Sequence, residues 1–246
     1  MIATITGIGW LTAGGIGNGR GQTRFSISTG PLPAITRQMA FPDPMPRFGR
    51  MDDLSRLGLS AMAMALTDAG RIEWSQKRPI GILAGTVFGC LHTDQAYFNT
   101  AKAGSGQSPS PSLFAYTLPN CMLGEAAIIF GLTGPTYVVN DAGLTDTVCV
   151  RTALENILSG DVSQVLCGVC DLGCPPFVVG KRKVIPGAIF FVLEKNPDRP
   201  ETIYGRLDLD AAGQVRFNGI ETTDMTELVN QCLDSAEGVT LTGDIP

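Results

Sequence analysis

Seven cysteines and a single histidine, His92, are the residues of this 246-residue chain best suited to attack a carbonyl, hold a transition metal or relay a proton near neutral pH. Three of the thiols fall close together in Cys167-Gly168-Val169-Cys170-Asp171-Leu172-Gly173-Cys174, a spacing that invites a zinc or iron–sulfur reading. Val165 to Val169, however, has the composition of a core strand. Residues three apart on a strand point to opposite faces and lie about 10 Å apart, so Cys167 and Cys170 share no ion while the strand runs through both. Small buried thiols are the ordinary reading, and no metal is expected. With one histidine, any mechanism that draws two imidazoles from these residues is excluded. His92, in Cys90-Leu91-His92-Thr93-Asp94-Gln95, reads as a polar residue opening a surface helix. Cys149 lies beside the apolar stripe of a helix, and Cys121 follows Pro119-Asn120; neither has a histidine near it in sequence to activate it. Asp141, at a strand end, reads as a helix cap rather than a general base.

Nucleotide chemistry fails on spacing. Gly7-Ile8-Gly9-Trp10-Leu11-Thr12 begins like a dinucleotide fingerprint but lacks the third glycine, and the first acidic residue of the chain is Asp43, far from the ribose position. No Gly-Lys-Ser or Gly-Lys-Thr occurs, so there is no phosphate loop, and no cofactor is expected. Charge points the same way: 18 Lys and Arg against 23 Asp and Glu leave a net −5 without a basic stripe, which excludes a nucleic-acid platform. Hydrophobic residues at 44% and charged residues at 17% exclude a disordered tail or a coiled coil and suit a chain with a sizeable core. The opening Met1 to Gly7 has no basic region of a signal peptide. The longest apolar runs, such as Ala188 to Leu193, are too short to span a bilayer. Together with an odd number of scattered cysteines, this predicts a cytoplasmic protein.

The elements that must position these residues follow from periodicity. A buried strand opens the chain, then a glycine-rich turn from Gly14 to Gly21. Residues 31–50, with five prolines, read as an irregular excursion. From Asp53 to Ala69, Leu54, Leu57, Ala61, Met64 and Ala65 share one helical face, and Gly70 ends the helix. Ile80 to Ala84 is a short strand, and Gly104 to Ser112 a loop. A helix from Met122 to Phe130 precedes a strand from Thr136 to Val139 and a helix from about Thr145 to Ser159. Strands at Gln164–Gly168, Ala188–Leu193 and Ile203–Leu209 follow, then a helix from Asp224 to Ala236 and a short last strand from Val239 to Thr242. Strands alternating with helices predict a layered α/β fold.

Taken in order, several segments resemble the N-terminal half of the β-ketoacyl synthases, the condensing enzymes of fatty acid and polyketide synthesis. Ile5-Thr6-Gly7-Ile8-Gly9 is similar to their first strand and turn. Arg50-Met51-Asp52-Asp53-Leu54-Ser55-Arg56-Leu57 with Ala65-Leu66-Thr67-Asp68-Ala69-Gly70 resembles their first long helix. Gly85-Thr86-Val87-Phe88-Gly89 resembles a glycine turn after the next strand. Leu118-Pro119-Asn120 with Gly131-Leu132-Thr133-Gly134-Pro135 is the most specific match. Gly160-Asp161, Val165 to Gly168 and Gly187 to Glu194 complete the series. The resemblance implies a thiolase-like layered fold: one half, a mixed five-stranded sheet flanked by helices, over residues 1–210. Residues 211–246 would be a short helix and strand left from the second half.

Family chemistry, by this resemblance, needs a cysteine at a sharp strand-to-helix turn shortly after the Gly-Pro pair, and two histidines from the C-terminal half. Helix N-terminus and backbone N–H groups activate the thiol and hold the oxyanion. Counting from Gly134-Pro135 places Gly143 where that cysteine belongs, and a register error of one residue substitutes Ala142 or Leu144, equally inert. The histidine-bearing loops have no counterpart before Pro246. The chain therefore resembles a shortened chain-length-factor-type subunit, a pseudoenzyme rather than a ketosynthase. Its implied partner is a complete β-ketoacyl synthase in a heterodimer, with an acyl carrier protein as a further one. Thr136, Tyr137, Val138 and Val139 would be the dimer-edge strand, and Phe114, Tyr116 and Met122 are the candidates for shaping the partner's acyl tunnel. A self-associating carrier-protein-binding or scaffold module, and a different acyl enzyme using Cys149 or Cys121, are the other readings.

Overall fold

Ten consecutive residues, Ala3 to Thr12, are buried, which a strand achieves only when both its faces and both its edges are covered. This strand, β1, is described by a computed structural model that covers residues 2–21, 24–103, 106, 108–140, 142–179, 183–197 and 203–240, with side chains through residue 235. Gly7 and Gly9 on β1 are demanded by a close approach. A Cβ on Gly9 would lie 2.2 Å from the Ala65 nitrogen and 2.4 Å from the Ala61 oxygen. The pair that begins like a nucleotide fingerprint is thus the bed for the first helix, α1 (Asp53–Asp68). Asp52 caps α1 by accepting the Ser55 N–H at 3.0 Å, and Gly70, at φ +64°, ends it. The helix is buried nearly all round rather than on one stripe; Met64, expected on the inner face, is partly exposed.

After β1 come β2 (Gly15–Asn18), α1, β3 (Gly81–Thr86), α2 (Leu91–Ala103), α3 (Pro111–Phe114) and α4 (Cys121–Phe130). Then follow β4 (Thr136–Asn140), α5 (Val148–Ser159), β5 (Gln164–Asp171), β6 (Gly187–Glu194), β7 (Gly205–Leu209), β8 (Val215–Phe217), β9 (Ile220–Glu221) and α6 (Met225–Thr240). One mixed sheet takes the order β4-β3-β5-β6-β1-β7-β8-β9, with β2 beside β1. β4, β3 and β5 are parallel and the remaining pairs antiparallel.

The expected five strands are present as β4-β3-β5-β6-β1, but the described sheet has nine. β2 hairpins back from β1 inside the stretch that reads as a turn, and β7, β8 and β9 add a meander. The division drawn at residue 210 falls between β7 and β8, which are antiparallel neighbours. Val239 and Thr240, read as the start of a last strand, continue α6 instead. A helix bonds locally, whereas a short strand needs a neighbour. Residues 241 and 242 of that strand, residues 104, 105 and 107 of the loop, and Asp141 lie outside the described residues.

Helices cover both faces. α1 and α4 bury Leu54, Leu66, Phe130 and Phe190 on one; α5 and α6 bury Val150, Leu154, Phe191 and Leu228 on the other. Strand alternation sends Cys167 and Cys170 to these opposite cores. Among the described residues no group of three potential metal ligands is assembled, and no helix is long and apolar enough to cross a membrane.

Candidate functional site

Two parallel strands, β3 and β4, each hand the chain to a helix at the same end of the sheet. After β4, Ala142, Gly143 and Leu144 are buried. α5 begins at Val148, three residues later than its sequence pattern indicates, because Asp146 folds its side chain into the turn. Its Oδ2 accepts the Gly143 N–H at 2.8 Å and its Oδ1 the Val148 N–H at 3.0 Å. Val87, residues 143–146 and residues 183–185 line a cleft of about 40 Å³. Gly143 is not required by its backbone: its φ is ordinary, and a Cβ there would meet only Val87 Cγ2, at 3.4 Å. A side chain fits, and none is present.

After β3, the turn through Gly85 to Gly89 is held from a distance. Asp171, at the end of β5, accepts the Thr86 hydroxyl at 2.9 Å, the Val87 N–H at 2.9 Å and the Phe88 N–H at 3.0 Å. Gly89 takes φ +52° to complete the turn.

Neither turn has a thiol poised to react. Cys149 is fully buried, and burial, then Cys167 and the carboxylates of Asp146 and Asp171, push its thiol well above the ordinary range. Cys121 is half-buried, donates to the Ala115 carbonyl at 3.1 Å, and is pushed up chiefly by burial. Burial and Asp94 hold Cys90 at about 12. Raised thiols are poor nucleophiles because the thiolate is scarce. His92 does open α2, as its sequence suggests, with Nε2 3.1 Å from the Gly173 carbonyl. It lines a separate pocket of about 300 Å³ with Arg50, Arg56 and Tyr116, away from the Gly143 cleft.

β4 itself is the terminal strand: its inner edge pairs with β3, and no described strand covers the other. Thr136 and Asn140 are exposed, Tyr137, Val138 and Val139 half-buried, and the Tyr137 hydroxyl takes a hydrogen bond from Asn156 Nδ2. Beside it, α4 shows solvent an apolar stripe. Ile128 is 60% exposed, as is Leu118 just before the helix at 61%; Gly124 faces open space and Cys121 lies between. Sequence reading missed this stripe. Its signal is the composition of α4, whose one charged residue, Glu125, is buried and leaves the outer face apolar.

The three tunnel candidates part company. Phe114 is 61% exposed, with its ring 5.4 Å from that of Tyr97, and Phe98 nearby on α2 is also exposed. Tyr116 is half-buried and donates to Glu125 Oε1 at 3.1 Å, an oxygen that Arg47 also holds at 2.9 Å. Burial and the Glu125 carboxylate raise the Tyr116 phenol to about 12. Met122 is buried in this chain's own core, where its sulfur fills the space a side chain on Gly58 would need.

A mixed sheet layered between helices, with its parallel strands turning into helices at one end, is the thiolase-like architecture of ketosynthases. The ketosynthase/chain length factor of ishigamide matches at TM-score 0.61 and 20% identity over 85% of this chain and 64% of that one. A ketosynthase in complex with its chain length factor from Xenorhabdus doucetiae matches at 0.57 and 19%, over 80% of each. A β-ketoacyl synthase from Burkholderia phymatum matches at 0.64 and 20%, over 83% and 62%. Residues 37–185 match the β-ketoacyl synthase N-terminal domain, and the chain belongs to that family. The 3-oxoacyl-[acyl-carrier-protein] synthase 2 of Vibrio harveyi is 25% identical over 128 residues, 52% of this chain and 31% of that protein. This alignment therefore spans about a third of that relative's length.

Proposed function

We propose that this chain is a non-catalytic β-ketoacyl synthase-like subunit that pairs with an active ketosynthase in type II fatty acid or polyketide biosynthesis, aryl polyene formation among them, and helps shape its acyl tunnel. The observation that carries the reading is Gly143, buried at the strand-to-helix turn without a side chain although one would fit. Condensation through an acyl-enzyme requires a thiolate there to attack the thioester carbonyl and expel the carrier thiol. Glycine cannot form that bond, and among the described residues lining the cleft none offers a thiol or imidazole in its place.

Pairing is supported by the neighbouring surface. The open β4 edge offers unpaired backbone donors and acceptors, and the exposed Leu118, Ile128, Phe114 and Phe98 leave apolar area in water at about 25 cal/mol per Å². A ketosynthase seated on β4 would satisfy both, with an acyl carrier protein serving the pair. Phe114 is the tunnel candidate whose ring is free to reach a partner.

Native mass of the protein purified from its source cells, with its companions identified, tests the pairing. A complete ketosynthase in equal amount is the expected result; a lone monomer or a homodimer rejects it, the homodimer in favour of a self-associating module. In the reconstituted pair, Phe114→Ala lengthens the products, and Tyr116→Ala does so less because its hydroxyl is tied to Glu125. An unchanged product distribution sinks the tunnel role. A thiol-reactive acyl probe leaves Cys149 and Cys121 unlabelled; stoichiometric labelling of either would make the chain an enzyme of different chemistry.

A further inference from the structure

We propose that Asp146 is a built-in anion: its carboxylate occupies the position where this turn would stabilise a thiolate or an acyl oxyanion, so the turn is closed to acyl chemistry independently of the missing side chain at Gly143. Backbone N–H groups at a helix N-terminus are what such a turn offers to developing negative charge. Here the first N–H of α5 and one from the turn before it are already spent. The Gly143 N–H points at Asp146 Oδ2 at 2.8 Å and the Val148 N–H at Oδ1 at 3.0 Å. Asp146 precedes the N-cap of α5, Thr147, and a serine hydroxyl in its place could also accept from the turn, so the hydrogen bonding alone does not call for a charge.

The carboxylate would also act by repulsion. Among the described residues, Asp146 and Lys183 are the charged ones lining the 40 Å³ cleft, and Asp171 reaches in from β5 to the Val87 amide. Both carboxylates already disfavour ionisation of the Cys149 thiol on α5, after burial and Cys167. A thiol attached at residue 143 would sit beside the Asp146 carboxylate that its own N–H already meets, with Lys183 of the same cleft opposing the effect in part. A cysteine grafted there meets two obstacles: an N–H that no longer points at it, and a negative neighbour three residues on. The inference rests on reading this turn as the nucleophile position, but not on the existence of a partner.

Gly143→Cys alone and Gly143→Cys combined with Asp146→Asn separate these effects. In each, the alkylation rate of the introduced thiol is followed against pH by peptide mass spectrometry, alongside the far-UV melt. With Asp146 in place the introduced thiol titrates above the free-cysteine value of about 8.5. Adding Asp146→Asn lowers its midpoint by about one unit. Alkylation near pH 7.5 then rises about threefold, because the gain in thiolate outweighs its lower nucleophilicity. Superimposable profiles, or a midpoint below that of free cysteine with Asp146 present, overturn the proposal. Should Asp146→Asn fail to fold, Asp146→Ser keeps an accepting oxygen and gives the same comparison without the charge. Failure here leaves the pairing with a ketosynthase standing, and failure of the pairing leaves this titration unaffected.

Discussion

The turn after β3 and the turn after β4 solve one problem with two different carboxylates. Each must gather the backbone N–H groups freed where a parallel strand ends. Asp171 does so from the neighbouring strand β5, more than 80 residues away, and is 2% exposed. Asp146 does so from three residues downstream and is partly exposed. The long-range carboxylate ties β3 to β5 and can be lost only with the local fold. The short-range one holds a single turn and a helix end, which leaves it free to set electrostatics. The difference teaches that similar hydrogen bonding can serve stability in one place and chemistry in another.

Breaking the long-range member should cost most. Asp171→Ala leaves the Thr86 O–H and the Val87 and Phe88 amides without their acceptor, and is expected to lower stability by about 3 kcal/mol, read from the urea midpoint. Next comes Gly85, which opens the first turn and packs against the second. A Cβ there would lie 2.3 Å from Cys149 Sγ and 2.8 Å from Ala142 Cβ. Gly85→Ala is expected to cost about 2 kcal/mol, and a double-mutant cycle with Cys149→Ala should recover about 1 kcal/mol of it. Additive losses would show that the turns do not press on each other.

The local member should be cheaper. Asp146→Ala is expected to cost about 1 kcal/mol, since it removes two bonds at a partly exposed turn, and Gly143→Ala to stay within about 0.5 kcal/mol. A loss at Asp146 as large as at Asp171 would erase the contrast. A third backbone-holding carboxylate sharpens it with a pH signature. Asp68 accepts the Ile8 and Arg20 N–H groups and the Tyr204 hydroxyl, yet burial outweighs these bonds and raises it above its ordinary 3.8. Between 3.8 and the raised value the native state holds a proton that the unfolded chain has released. Its contribution to stability is therefore full below 3.8 and is lost as pH rises through the folded value. Asp68→Asn should flatten that slope, which equilibrium unfolding across acidic pH would measure.

Much of the fold was legible because it rests on short-range pattern. The strand at Thr136, the helix ended by Gly70 and the glycine at residue 143 follow from periodicity, turn chemistry and counting along a resemblance. What escaped was non-local. β2, β8 and β9 are short, and strands of two to four residues exist only because a neighbour supplies their hydrogen bonds. Met122 and Tyr116 looked equivalent to Phe114 in sequence. Gly58 on α1 gives Met122 a place in the core, and Glu125 with Arg47 holds Tyr116, leaving Phe114 alone exposed. Asp146 carried no signal beyond that of a residue near a helix start.

By itself, then, the sequence determined the order of strands and helices, the family likeness and the absence of a side chain at residue 143. These depend on residue identity and on neighbours within a turn or a strand. Only the tertiary structure decided which amides Asp171 and Asp146 would take, which edge of the sheet stays open and which aromatic ring remains outside. The grip of Asp171, the open edge and the ring left outside depend on distances between groups far apart in the chain, which exist only once the sheet has closed; that of Asp146 is local, but its turn takes this shape only where β4 ends against β3.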